Sequence, residues 1–298
     1  MATIWLFNTA SCSGHKPAIG GQLIDLTKNT LQLRNPWVSD SVFMAKLYCA
    51  MNIFLMLGFY PYLFDSEFFE YFISDPALTI GFVLMPFTFS PFLIYRIYFI
   101  KSLSSFCLNR STQKIYYQRL SKLIIFDWNN TGGGVFKRTE YGGSSFSTSY
   151  ALAFAPRRED GTLHQKDCLW IDSNEPTEPG VRHVAEVWEY LRHFMDHGPD
   201  KLPPPSEPNW WHKPLHAICL TPAEAWRHYA PWRTGEPGEM QGKKNWQLPF
   251  WAVLFPYNLT LAICWYGLCR LFNIRAAAPP QAAFEEAPVI QPGKRKRK

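Results

Sequence analysis

The chain has 298 residues, 47 % of them hydrophobic and 18 % charged, with a net charge of +6; it is too apolar for a disordered chain and has no fibrous repeat composition. A mean hydropathy of only −0.17 conceals three long apolar runs. The aromatic share of 16 %, with 12 Trp and 23 Phe, fits lipid-facing helices and interfacial belts. The seven cysteines, an odd number without a CxxC pair, exclude a disulfide scaffold or a zinc knuckle and read as free thiols on a reducing side.

Residues 1–43 carry no basic leader and no apolar run of signal-peptide length, and are read as a cytosolic lead segment. Residues 44–64, with Lys46 near their start, are long enough to cross a bilayer, as are residues 77–100, where Pro86 and Pro91 imply a kink and Arg96 is placed to snorkel. The loop between them holds Asp65, Glu67, Glu70 and Asp75 and no cation. The cations flank the far ends of the hairpin, so the loop is expected outside and the N-terminus and centre of the chain inside.

Residues 101–199 are near neutral and read as a cytosolic antiparallel β domain. Candidate strands are Ser104–Asn109, Lys114–Arg119, Lys122–Trp128, Gly134–Tyr141, Ser149–Arg157 and Cys168–Asp172. Val181–His197 then repeats apolar residues at helical spacing (Val184, Trp188, Leu191, Met195) and is closed by Gly198-Pro199. A sheet closed by a C-terminal helix is the outline of a pleckstrin-homology-like (PH-like) barrel, and another α+β domain of five or six strands gives the same string.

Residues 200–247 begin as a stiff proline-rich linker. Thr221-Pro222-Ala223-Glu224 then carries a capping box with Pro at the first helical position, and Pro231 ends that short helix. Around it lie Trp210, Trp211, Trp226, Tyr229, Trp232, Trp246 and Trp251, with Arg227, Arg233, Lys243 and Lys244. Two readings stand: a segment in the headgroup region anchored by its rings, or packing beneath the barrel. The third apolar run, residues 248–272, is read as a crossing because its length suffices, the alternative being a break at Pro256 into a re-entrant or interfacial segment; residues 273–298, read as a disordered basic tail, favour the inside by charge. That tail, ending Lys294-Arg295-Lys296-Arg297-Lys298, is read first as a solvated terminus without function, with a nuclear-localisation patch and binding to anionic lipid as the alternatives.

No motif assigns chemistry. His193 and His197, like His212 and His216, stand at i, i+4 without a third ligand, and the first pair is expected to complement the helix dipole. Gly132-Gly133-Gly134 and Gly142-Gly143 read as hairpin turns, since no phosphate-binding spacing surrounds them. Asp127 reads as a turn-capping residue; enzyme chemistry using it and a histidine lacks a partner at meaningful spacing. The chain is accordingly read as no enzyme, with no catalytic, cofactor-binding or metal residue, no cofactor, no small-molecule substrate and no nucleic-acid partner.

The stretch Leu108–Tyr117, LNRSTQKIYY, followed by a strand ending Phe126-Asp127-Trp128 and a late amphipathic helix, resembles an uncharacterised family of bacterial membrane proteins with an N-terminal transmembrane hairpin and a cytosolic PH-like domain. The likeness runs from about Val42 to His197. Members of that family are often encoded beside type VI secretion effectors, which implies an immunity protein of the inner membrane with a cognate toxin and membrane lipids as partners. The alternative is a membrane-tethered lipid sensor or secretion scaffold. Such a family has no assigned catalytic residues to carry over.

Overall fold

Short stretches rich in branched and aromatic residues, bounded by Asn, Ser and Gly, fold into nine strands among the residues that the structure, a computed structural model, describes: 3–59, 76–84, 87–141, 146–157, 163, 168–172, 181–206, 210–243 and 248–286. The architecture is mixed α+β, and the chain divides into two units. One comprises Met1–Pro36, Ser104–Ser206 and Ala278–Lys298; the other comprises Trp37–Leu103 and Glu207–Ala277.

The first unit holds two antiparallel sheets. One has the order β1 (Thr3–Asn8), β7 (Thr131–Tyr141), β8 (Phe146–Pro156), β9 (Leu169–Asp172); the other runs β2 (Leu23–Leu26), β3 (Thr30–Leu33), β4 (Phe106–Asn109), β5 (Lys114–Arg119), β6 (Lys122–Asp127). Asn109 shapes the predicted β4–β5 hairpin, its Oδ1 accepting from Ser111 Oγ at 2.7 Å and Thr112 N at 3.1 Å. Phe106 of β4 meets Phe154 of β8 edge to face, 5.9 Å between centroids, which joins the inner faces of the two sheets. The amphipathic helix of this unit, Val181–His197, has the bounds expected from sequence and buries Val184, Trp188, Leu191, Phe194 and Met195.

Three expectations for this part are corrected. The sheets are not confined to residues 101–199: the supposed lead segment supplies β1, β2 and β3, whose brevity hides them from periodicity. The tail is ordered well beyond residue 273, because Ala283 packs on Cys107 and Tyr116 and Asn109 Nδ2 donates to Ala283 O and Glu285 O, both at 2.9 Å. Every residue of β4 is buried, Cys107 and Asn109 against the tail and Phe106 against Phe154. Gly132–Gly134 form no turn; they lie inside β7, paired with β1 and β8. Gly142-Gly143 and the five terminal basic residues lie outside the described residues.

The second unit is helical: α1 (Pro36–Phe59, its first residue lying in the sheet unit), α2 (Pro76–Leu84), α3 (Ser90–Ser102), α5 (Lys213–His216), α6 (Pro222–Tyr229) and α7 (Leu248–Leu271). The helix Val181–His197 of the sheet unit is α4. Among the described residues, two helices are long and apolar enough to cross a membrane, over Pro36–Gly58 and Pro249–Leu271. The first begins eight residues earlier than Met44, so Lys46 sits well inside it, donating to Pro214 O and to Ala217 O, the latter at 3.3 Å. The expected second span, residues 77–100, is divided into a 9-residue and a 13-residue helix, each shorter than the roughly 20 residues a crossing needs. Pro91 starts α3, and Asn52 of α1 serves the turn before it, accepting from Phe89 N and donating to Ser90 Oγ, both at 3.3 Å. The third run is one helix that carries Pro256 within it, not a broken segment. Residues 60–75, including the acidic loop, lie outside the described residues.

Candidate functional site

The head of α7 gathers the densest polar and aromatic cluster of the helical unit. Helix α6 starts as its sequence dictates: Thr221 Oγ1 accepts from Glu224 N, and Glu224 Oε2 accepts from Thr221 N at 2.8 Å, with Pro222 at the first position. One turn later α6 presents His228 to the interior, and the chain returns through two left-handed glycines, Gly235 (φ 77°) and Gly238 (φ 72°), into a 3-10 turn over Glu239–Gln241.

This return loop wraps Glu239, whose carboxylate accepts from Thr234 N at 2.9 Å, Thr234 Oγ1 at 3.2 Å and Gly235 N at 3.2 Å. Lys243, almost fully buried, stands 3.6 Å from Glu239 Oε2 and donates to Arg227 O at 2.6 Å and Thr234 Oγ1 at 3.1 Å. Glu236 takes Lys213 at 2.6 Å and has its other oxygen 3.5 Å from His228 Nδ1, a near approach without hydrogen-bond alignment. Trp210 stacks on His228 at 4.2 Å and lies 6.0 Å from Lys243 Nζ. Gly242 is demanded here, since a β-carbon would fall 2.1 Å from the Trp210 ring.

Charges inside this knot are balanced, with two lysines facing two glutamates. Burial pushes the His228 imidazole down to about 4, helped by Lys213 and Lys243 and opposed by Glu236, so the ring is neutral at pH 7. Burial opposes ionisation of Glu239, but the Thr234 and Gly235 donors and Lys243 outweigh it and hold its carboxyl below the usual range. Burial likewise lowers Lys243, against the pull of Glu239 and Glu236.

Around the knot, Trp211, Trp226 and Trp232 stay about half exposed beside exposed Arg227 and Arg233. Trp226 and Trp232 pack on Phe255 of α7 at 5.0 and 5.7 Å, while Trp211 packs on Trp251 at 5.7 Å. The expected packing beneath the barrel is corrected: Trp210 and Trp251, like Trp265, are buried within the helical unit, while Trp211, Trp226 and Trp232 form a surface patch. Trp246 lies outside the described residues. The patch offers what a headgroup layer takes up, namely amphipathic rings and cations set on a rigid base.

Sequence reasoning missed the network because Glu236, Glu239 and Lys243 fall in a loop without period, and Lys243, expected with Arg227, Arg233 and Lys244 as an interfacial cation, is instead buried. The spacing of Glu239 and Lys243, four apart, is its only local trace. It also missed Glu189 on α4, which anchors the segment after β1: Glu189 accepts from Ser13 N at 2.6 Å and Cys12 Sγ at 3.6 Å and pairs with Arg192 at 2.8 Å.

The residues singled out from sequence take other parts. His193 and His197 lie 4.7 Å apart, but burial and His197 push His193 down, which disfavours the imidazolium expected to complement the helix dipole. His212 and His216 lie 5.5 Å apart. Among the described residues no group of three or more His, Cys, Asp or Glu is placed to hold a metal. Asp127 makes no side-chain cap; its backbone carbonyl accepts from Thr131 Oγ1 at 2.8 Å, so the capping expectation is corrected.

The chain thus combines a two-sheet unit with a helical unit that holds, among the described residues, two helices long and apolar enough to cross a membrane. Residues 83–276 match the family of unknown function DUF6708, and the chain belongs to that family. No curated protein and no solved structure matches it.

Proposed function

We propose that the protein is a membrane-anchored binding protein: the helical unit is held in a bacterial inner membrane, and the sheet unit, PH-like in outline, engages a partner protein, which we take to be a cognate type VI secretion toxin that it neutralises. The observation that carries the membrane reading is α7. Only 11 % of the residues in its most apolar stretch are buried, and Phe250, Val253 and Leu271 are 64 %, 74 % and 76 % exposed. In water such a surface would be an aggregation liability; in lipid it is the solvated face. The Trp and Arg patch at the helix head supplies the interfacial anchor.

Connectivity limits how α7 inserts. Residues 104–206 and 278–286 fold into one unit and so lie on one side of a bilayer, which means that the stretch between them leaves and returns on that side. This favours insertion of α7 paired with a second segment that brings the chain back, over a single crossing that leaves the tail outside, and it agrees with the charge of the tail. Alkaline carbonate extraction of membranes tests the anchoring: the full chain is expected in the pellet, and its release would remove the reading. The neutralising role rests on the resemblance carried by Leu108–Tyr117 and Phe126–Trp128. Co-expression with the product of the adjacent toxin-like gene, scored by survival and membrane potential, tests it, with rescue expected.

A further inference from the structure

The helical unit also contains four of the seven cysteines, Cys49, Cys219, Cys264 and Cys269, none in a disulfide. Two of them are brought together by contacts from independent elements. Trp265 Nε1 donates to Ile218 O at 2.7 Å, which fastens the residue before Cys219 to α7 one turn ahead of Cys269. Lys46 of α1 fastens the same segment from another helix through Pro214 O and Ala217 O. The two thiols so placed are side-chain neighbours.

We propose that Cys219 and Cys269 are a redox pair that forms an intramolecular disulfide on exposure to a hydroperoxide. Cys219 is partly exposed and Cys269 buried, so the oxidant reaches Cys219 first. The Cys219 thiolate attacks the peroxide, gaining one oxygen as a sulfenic acid and releasing water when the oxidant is hydrogen peroxide. The Cys269 thiol then attacks that sulfur and gives up its proton, forming the S–S bond and expelling the sulfenic oxygen as a second water. Two thiols are oxidised by two electrons and one peroxide is reduced to two waters. The bond would tie α7 covalently to the segment held on α1.

The full chain in isolated membranes, in a Cys12→Ser background that removes the exposed thiol, is treated with hydrogen peroxide. Free thiols are blocked with N-ethylmaleimide, and the protein is denatured and reduced. Two new thiols are expected on reduction, with peptide mapping placing the bond between Cys219 and Cys269. Further substitution of Cys219→Ser or Cys269→Ser should reduce the yield to zero. Mapping on the background protein needs no variant within the helical unit. Failure to release two thiols, or a bond mapped to another pair, overturns the proposal.

Discussion

The Trp188 indole lies against the backbone of Gly133, so closely that a β-carbon at Gly133 would fall 2.6 Å from Cε3. Trp188 in turn stacks on Phe7 at 5.9 Å and lies 5.2 Å from Trp128, which makes this contact the place where α4 is seated on β7. Gly133→Ala must displace a ring held on several sides, and overpacking of this kind costs roughly 1–3 kcal/mol. Denaturant unfolding of the detergent-solubilised chain, followed by Trp fluorescence, should show that loss.

Glu189 couples the same helix to the segment after β1. Burial opposes its ionisation, yet Arg192 and the Ser13 N–H prevail and hold its carboxyl below the usual range. A depressed acid adds stability above its ordinary value, near 4.3, that is lost as pH falls through the lower folded value. Glu189→Gln is expected to cost about 1–3 kcal/mol at pH 7 and to flatten the acid limb of the stability profile. Unchanged unfolding at pH 7 would mean that Ser13 and Arg192 gain nothing from the charge.

How far the sequence could be read depends on period. Val181–His197 and the Thr221 cap were legible because an amphipathic repeat and a capping box are local signals, and β5 because its turn and alternation coincide. β1, β2 and β3 were not, since four to six residues of mixed exposure carry no pattern until β4 and β7 pair with them. Gly132–Gly134 read as a turn because sequence cannot reveal that Leu163, Trp188 and Ile4 occupy the space of their side chains. Lys46 read as a flanking cation, whereas Pro36 opens α1 early and places it among carbonyls that only the tertiary fold supplies. Of the candidate site, the tryptophans and the α6 cap were visible; the Glu236, Glu239 and Lys243 knot arises from loop geometry.

His228 gives the helical unit a pH dependence of opposite chemical origin. Its folded value of about 4 lies below the ordinary 6.5, so the unfolded chain binds more protons between the two. Stability is therefore complete above pH 6.5, falls as pH drops toward 4, and loses nothing further from this group below that. The full effect amounts to about 3 kcal/mol. His228→Phe keeps a ring against Trp210 and should remove this segment of the profile, read from thermal unfolding of the solubilised chain between pH 4 and 7. A variant that retains the wild-type slope would assign it to another group.

The exposed face of α7 separates lipid from water as its surroundings. Val253 contacts little protein, so Val253→Lys in a water-exposed helix would change stability by at most about 0.5 kcal/mol. Within a hydrocarbon layer the same lysine costs roughly 2.5–3.5 kcal/mol, enough to shift the chain from the carbonate-resistant fraction toward the extract. Trp232→Ala should act in the same direction but more weakly, because it removes an interfacial ring and adds no charge to the apolar layer. If Val253→Lys leaves the pelleted fraction unchanged, α7 is not solvated by lipid at that turn, and the anchor must be sought in α1, where Phe54 and Leu57 are the most exposed of the large apolar residues.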